Sequence, residues 1–271
     1  MAYKLLEGKK GIIFGALNDQ SIAWKTAEAC FANGAEIVLT NAPIALRMGE
    51  INKLAAACNN APVIAADVTS DEDLKNLIQQ SMDHFGGKID FILHSVGMSL
   101  NIRKGNPYTN LNHDHQHKTF DISAMSLHRL CQTAFQMDAM SEWGSIVALT
   151  YIAAQRVFPD YSEMADAKAL LESITRSFGY HLGKKSKVRI NTISQSPTRT
   201  TAGSGVKGFD GFISFAEKMS PLGNASAEDC ANYCVAMFSD LTRMVTMQNL
   251  FHDGGFSFTG VTPEVIEQME K

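Results

Sequence analysis

The chain has 271 residues, of which 45% are hydrophobic and 19% charged, with a formal net charge of −4. That apolar content can bury a sizeable core in one large domain or two smaller ones, and the scattered Lys and Arg form no basic patch, which sets nucleic acid aside as a partner. The amino-terminal MAYKLLEGKK lacks the apolar stretch of a signal sequence and no run reaches the ~18 residues of a membrane span, so a cytoplasmic protein is expected.

Taken in chain order, apolar and β-branched runs at 11–15, 36–40, 63–66, 89–94, 145–150, 188–194 and 248–252 read as strands. Helical patterns lie between them at about 21–33, 43–58, 70–85, 112–139, 160–182 and 226–240. Strands without polar alternation suit a parallel sheet covered on both faces. The expected fold class is therefore α/β: a single doubly wound parallel sheet of about seven strands with helices on both faces. No Pro/Ser-rich linker, repeat or low-complexity segment divides residues 1–271, so one domain is expected.

Helix punctuation agrees with these bounds. Gly34 and Gly183 stand where a glycine would end the first and fifth helices, and Ser70 with Asp71, Glu72 and Asp73 forms an N-cap with an acidic first turn. The five cysteines include no CxxC pair and read as reduced packing residues.

The first turn, Gly15 to Ala23, follows a strand and opens a helix, where free N–H groups suit a pyrophosphate. It lacks GxGxxG, since only Gly11 and Gly15 are glycines, so a plain βα connection remains open beside nucleotide binding. The end of the second strand, Thr40-Asn41-Ala42-Pro43, holds neither an acid nor a basic pair. Asp67 after the third strand and His94-Ser95-Val96-Gly97 after the fourth lie at the carboxyl edge, where open α/β sheets bind ligands. Asp67 taken singly also reads as a turn or capping residue. In Asn112 to His117 only His113 and His117 share a helix face, with no third ligand at a suitable spacing, so no metal is expected.

The segment 195–224 breaks the alternation with Gly203, Gly205, Gly208, Gly211 and Gly223, and reads as a substrate lid or as an ordinary surface insertion. Between the fifth strand and this segment, Tyr161 and Lys168 set a phenol and an ammonium seven residues apart, about two helical turns, so on one helix both would line the same wall.

Several motifs occur in order: Gly15-x5-Ser21-Ile22-Ala23, Asp67-Val68, His94-Ser95-Val96-Gly97, Asp121-Ile122-Ser123, Leu149-Thr150-Tyr151, Tyr161-x6-Lys168, Pro197-Thr198-Arg199-Thr200 and His252 to Ser257. This ordered set resembles the bacterial NADH-type enoyl-acyl-carrier-protein reductases, divergent short-chain dehydrogenases of fatty acid synthesis, from Gly8 to about Phe258. The resemblance implies a Rossmann-like fold, NADH as cofactor, an acyl carrier protein delivering the substrate, and a homo-oligomer, in the family a tetramer. It assigns catalysis to Tyr161 and Lys168, with Tyr151 assisting. It assigns cofactor binding to Gly15, Ser21, Ile22, Asp67, Val68, Val96, Lys168, Thr198, Arg199, Thr200, Thr201 and Ala202, and substrate contact to Ser99 and Tyr151.

Ala42 and Pro43 stand where phosphate-tolerant relatives carry basic residues, which favours NADH, while Arg47 nearby leaves NADPH open. Lys207 and Lys218 are expected to meet the acidic carrier. Gln195-Ser196 departs from the family's small Ala-Gly pair and is expected to alter cofactor affinity slightly. Ketone reductases of the same superfamily carry Tyr-x3-Lys, so a 3-oxoacyl reductase is one alternative and an NADH-binding protein without turnover the other.

Overall fold

Alternation of side chains across a strand gives this sequence its two cores. Ile12, Val38, Ile92, Ile146 and Ile190 point to one side of the sheet, whereas Ile13, Leu39, Leu93, Val147 and Ile193 point to the other. All ten are at most 2% exposed, and each contributes about 1.5–3 kcal/mol by leaving water. The computed structural model describes residues 4–47, 50–200 and 208–270.

The chain runs β1 (Lys10–Phe14), α1 (Ile22–Ala32), β2 (Glu36–Asn41), α2 (Pro43–Leu46), α3 (Ile51–Ala57), β3 (Val63–Ala65), α4 (Asp71–Phe85), β4 (Ile89–His94) and α5 (Leu100–Lys104). It continues through α6 (His113–Phe120), α7 (Ser126–Gln136), β5 (Met140–Thr150), α8 (Met164–Ser186), β6 (Arg189–Gln195), α9 (Phe209–Met219), α10 (Ala227–Phe238), β7 (Asn249–His252) and α11 (Pro263–Met269). The strands form one seven-stranded sheet in the order β3-β2-β1-β4-β5-β6-β7, and every neighbouring pair is parallel. Helices α1 and α10 cover one face, and α4, α7 and α8 cover the other. The doubly wound α/β expectation is met. The winding reverses between β1 and β4, so their carboxyl ends open the crevice in which such sheets hold ligands.

The seven expected strands are all present, and the differences lie in the helices. The expected helix at 112–139 is α6 and α7 joined by a π-helical turn, Asp121–Met125. The pattern at 43–58 is divided into α2 and α3. The helix expected from 160 begins at Met164, because Pro159–Tyr161 form a 3-10 turn and Ser162 takes φ 48° and ψ −145°. At its other end it runs through Gly183 to Ser186, and Lys187 at φ 58° supplies the left-handed stop expected of the glycine. The Ser70 cap is as expected, its side chain accepting from Asp73 N, and Gly34 has φ 91°. The segment 195–224 contains α9 as well as loop. All five cysteines are buried and free. Among the described residues no helix is long and apolar enough to cross a membrane.

Candidate active site

The crevice exists because two turns pass within van der Waals reach. Gly15, at the end of β1, has φ 93°, and a Cβ there would stand 1.9 Å from Ser95 O in the turn after β4. Only glycine meets both conditions. Gly15 N donates to Thr40 O (3.1 Å), and Asn41 Nδ2 donates to Ala16 O (2.9 Å), so the first turn is also fixed to the end of β2. The Ser21 hydroxyl donates to Asn18 O (2.7 Å) and accepts from Leu17 N (3.3 Å). It leaves α1, which starts at Ile22, without a side-chain cap, and a helix start of this kind favours an anion.

A cleft of about 370 Å³ adjoins this turn, lined among others by Asp19, Gln20, Thr198, Arg199, Asn224 and Ser226. Thr198 donates to Ser196 O (2.9 Å), and Arg199 pairs with Asp210. Thr201, Ala202 and Lys207 lie outside the described residues. On the other side of the crevice Val68 and Val96 pack against the sheet core. Asp67 Oδ1 accepts from Thr69 N (2.9 Å) and Thr69 Oγ1 (2.7 Å), so it serves as a turn residue at the sheet edge. No group of 3 or more His, Cys, Asp or Glu among the described residues is arranged to hold a metal ion. His113 instead faces Gln116, at 3.0 Å.

Tyr161 and Lys168 come to the same crevice from different backbone environments, not from one helical wall. Tyr161 closes the 3-10 turn ahead of Ser162, whose φ and ψ fall where side chains other than glycine are strained by about 1–3 kcal/mol. Lys168 lies in the second turn of α8, is 8% exposed and donates from Nζ to Leu149 O (2.9 Å). Burial pulls its pKa down to about 8, with the charge of Glu172 opposing. A Cβ on Gly97 would sit 3.8 Å from Lys168 Nζ, which places the amine beside the turn after β4.

The Tyr161 and Tyr151 rings lie 5.1 Å apart. Burial pushes both phenols well above their ordinary pKa, and Tyr161 and Asp253 add to the rise at Tyr151. The Tyr151 hydroxyl is buried without a hydrogen-bond partner among the described residues. Phe158 packs on Tyr151 (5.5 Å) and on Phe212 of α9 (5.2 Å), and Phe256 closes the group 6.1 Å from Phe212. The segment expected to act as a lid thus contributes an aromatic side chain to an apolar wall around the phenols.

Ser99 is 5% exposed. It donates to Glu163 Oε1 (2.8 Å) and accepts from Ile102 N (3.0 Å), capping α5. Its single proton is therefore committed to Glu163. Burial works to raise the Glu163 carboxyl, but the hydroxyls of Thr119 and Ser99 outweigh it and hold the group below its usual range. His94 Nε2 lies 2.8 Å from Ser126 Oγ. That hydroxyl donates to Ile122 O (2.6 Å), so Nε2 carries the proton and donates. Burial, aided by the Lys168 charge, takes the His94 pKa down to about 3 and keeps the ring neutral.

The sequence reading placed no weight on Glu163 or Glu172, and the signal for Glu172 was its i+4 spacing from Lys168. Gln195 and Ser196 are 5% and 4% exposed. Gln195 donates to Ala225 O (3.1 Å) and pairs with His252 Nδ1 (2.7 Å), while Ser196 Oγ accepts from Ala225 N (3.0 Å). Both side chains thus brace the end of β6 against the loop before α10.

Residues 15–257 match the family model for enoyl-(acyl carrier protein) reductase. The chain is 33% identical over 258 residues to an NADH-type enoyl-acyl-carrier-protein reductase of Rhizobium meliloti, covering 95% of this chain and 94% of that one. It is 31% identical to the corresponding reductase of Bacillus subtilis, covering 94% of this chain and 98% of that one. The solved FabI–NADH complex from Alistipes finegoldii superposes with a TM-score of 0.95 at 63% identity, covering 96% of this chain and 92% of that one. Sheet order, crevice and motif order agree with these likenesses: the chain belongs to the enoyl-acyl-carrier-protein reductase family of the short-chain dehydrogenases.

Proposed function

We propose that the protein is an NADH-dependent enoyl-acyl-carrier-protein reductase of fatty acid synthesis, acting on trans-2-enoyl thioesters. The observation that carries this reading is the meeting of Tyr161, Tyr151 and Lys168 at the end of β5, beside the turn at Gly97. The residues fit a dinucleotide. Gly15 lets the β1 turn approach the β4 turn closely, Ser21 and Ile22 open α1 beside it without a side-chain cap, and Lys168 is a buried cation that donates to the neutral Leu149 carbonyl. Asp67, Val68 and Val96 would flank the adenine half, and Thr198, Arg199, Thr200, Thr201 and Ala202 the nicotinamide half. When bound, NADH supplies a hydride to the β-carbon of the enoyl thioester.

The chain's part is electrostatic and positional. Negative charge develops on the thioester oxygen during reduction, and Tyr161 donates a hydrogen bond to it, a contribution of about 3 kcal/mol for one such donor. Because burial raises its pKa, the Tyr161 phenol keeps its proton and remains a donor across the neutral range. Lys168, cationic below about pH 8, holds the ribose hydroxyls. Tyr151 and the Phe158–Phe212–Phe256 wall enclose the acyl chain and exclude water. Ser99, with its proton already given to Glu163, would offer the substrate an oxygen rather than a donor.

By the same reading an acyl carrier protein delivers the substrate in the cytoplasm and meets Lys207 and Lys218, and the protein works as a homotetramer. The groove between α7 and α8, lined by Phe135, Ile174 and Phe178 among others, supports that assembly. The deciding assay is cofactor oxidation with a 2-enoyl against a 3-oxoacyl thioester, each with NADH and NADPH. Turnover of the 2-enoyl thioester with NADH is expected. Turnover confined to the 3-oxoacyl thioester would make the protein a ketoreductase, and NADH binding without either turnover a nucleotide-binding protein.

A further inference from the structure

One buried acid stands in the crevice without a part in the chemistry above. Glu172 lies one helical turn beyond Lys168 on the same face of α8 and is 6% exposed. Its Oε1 accepts from Thr150 Oγ1 (3.0 Å) and Asn249 Nδ2 (3.1 Å), and its Oε2 accepts from Gln155 Nε2 (3.2 Å). The donors come from the end of β5, the start of β7 and the loop between the two tyrosines. Three successive residues of β5 and its exit each meet a different group: Leu149 O takes Lys168, the Thr150 hydroxyl binds Glu172, and the Tyr151 ring packs on Tyr161. A shift of β5 along α8 would disturb all three together.

The charges point the same way. Lys168 donates to a neutral carbonyl, Leu149 O. His94 on β4 faces it as a neutral ring, and the charge acting in favour of the ammonium comes from Glu172. Glu172 is itself raised by burial, while Gln155, Thr150, Arg176 and Lys168 pull in the opposite direction. A carboxylate supplied with three donors can remain ionised in such a place. We propose that Glu172 is a positioning residue and the through-space counter-charge of the site, holding the Thr150–Tyr151 end of β5 on α8 and keeping Lys168 protonated when NADH binds.

This rests on the proposed role of Lys168 in NADH binding, and the test separates the two. Glu172→Gln keeps the shape and the capacity for hydrogen bonds but removes the charge. Two readouts are followed against pH from 6 to 10: the NADH dissociation constant, and the melting temperature of the cofactor-free protein. In the wild type, Lys168 titrates near 8 when folded and near 10.5 when unfolded, so its contribution to stability rises with pH across that window. Glu172→Gln should move the start of that rise, and the pH at which NADH affinity falls, downward by at least about half a pH unit, roughly a threefold change in affinity near pH 8.

Thr150→Val, which keeps the charge and loses one tie, should leave both midpoints in place and lower kcat several-fold more than it raises KM for a crotonyl thioester. Coincident midpoints for wild type and Glu172→Gln overturn the proposal. Should Glu172→Gln fail to fold, Glu172→Asp decides: the withdrawn carboxylate should move both midpoints downward by a smaller amount with reduced kcat, and midpoints equal to those of the wild type overturn the proposal. If the wild type turns over no 2-enoyl thioester, the reductase reading falls. If it binds no NADH, the cofactor role of Lys168 falls with it, and the cofactor-free melting profile still judges the counter-charge.

Discussion

Tyr161 shows how far a single residue can be read and where reading stops. Its identity and its distance along the chain from Lys168 were plain in the sequence. Its conformation was not, because the break before α8 depends on Ser162 holding φ 48°, which no residue type announces. The buried phenol remains protonated, so its loss should act on the oxygen it donates to and leave cofactor affinity intact. Tyr161→Phe should reduce kcat for a 2-enoyl thioester about 100-fold, the equivalent of one donor worth ~3 kcal/mol. Fluorescence titration should find the NADH dissociation constant within about threefold of wild type.

His94 carries a second prediction at this scale. Its pKa is near 3 in the fold and near 6.5 when exposed, so between these values the unfolded chain binds more protons. The stability contributed by the neutral ring is complete above pH 6.5 and is lost as pH falls toward 3. His94→Gln, whose amide can still donate to Ser126, should flatten the fall in melting temperature between pH 6.5 and 4. A slope equal to that of the wild type would show that His94 does not titrate in this window.

Among elements, strands were more legible than helices, for a physical reason. A strand buried on both faces writes its state as a continuous apolar run, so Ile89–His94 and Glu36–Asn41 stand within a residue of where the sequence placed them. A π-turn such as Asp121–Met125 leaves the apolar pattern of α6 and α7 nearly unbroken, and the join is invisible in it. Gln195 and Ser196 read as intrusions near the cofactor, because the loop that accepts their hydrogen bonds lies about thirty residues on. The turn after β1 lacked the glycine fingerprint, and only the structure shows how much depends on its one glycine. Gly15→Ala would bring a methyl group within 1.9 Å of Ser95 O at φ 93°, so the β1 and β4 turns must part. The variant should lose measurable NADH binding and melt several degrees lower. Unchanged NADH affinity would show that the crevice does not depend on this close approach.

At the scale of the whole molecule, the site and the proposed assembly share one helix. Lys168 and Glu172 face the crevice from α8, while Ser173, Ile174, Ser177 and Phe178 of the same helix line the groove shared with α7, where His128 packs edge-on against Phe178 at 4.9 Å. A second copy seated in this groove would restrain α8 along the turns that follow Lys168, so association and activity should be coupled through helix position. Ser177 is exposed, and a charge there leaves the sheet core untouched. Ser177→Glu should lower the molar mass measured by light scattering. It should also lower enoyl reductase activity in proportion to the dissociated fraction, with recovery as protein concentration rises. A molar mass equal to that of the wild type would place the interface elsewhere. Dissociation with full activity would instead show that a single chain holds α8 firmly enough by itself, through the Leu171 and Ile174 packing and the Glu172 ties.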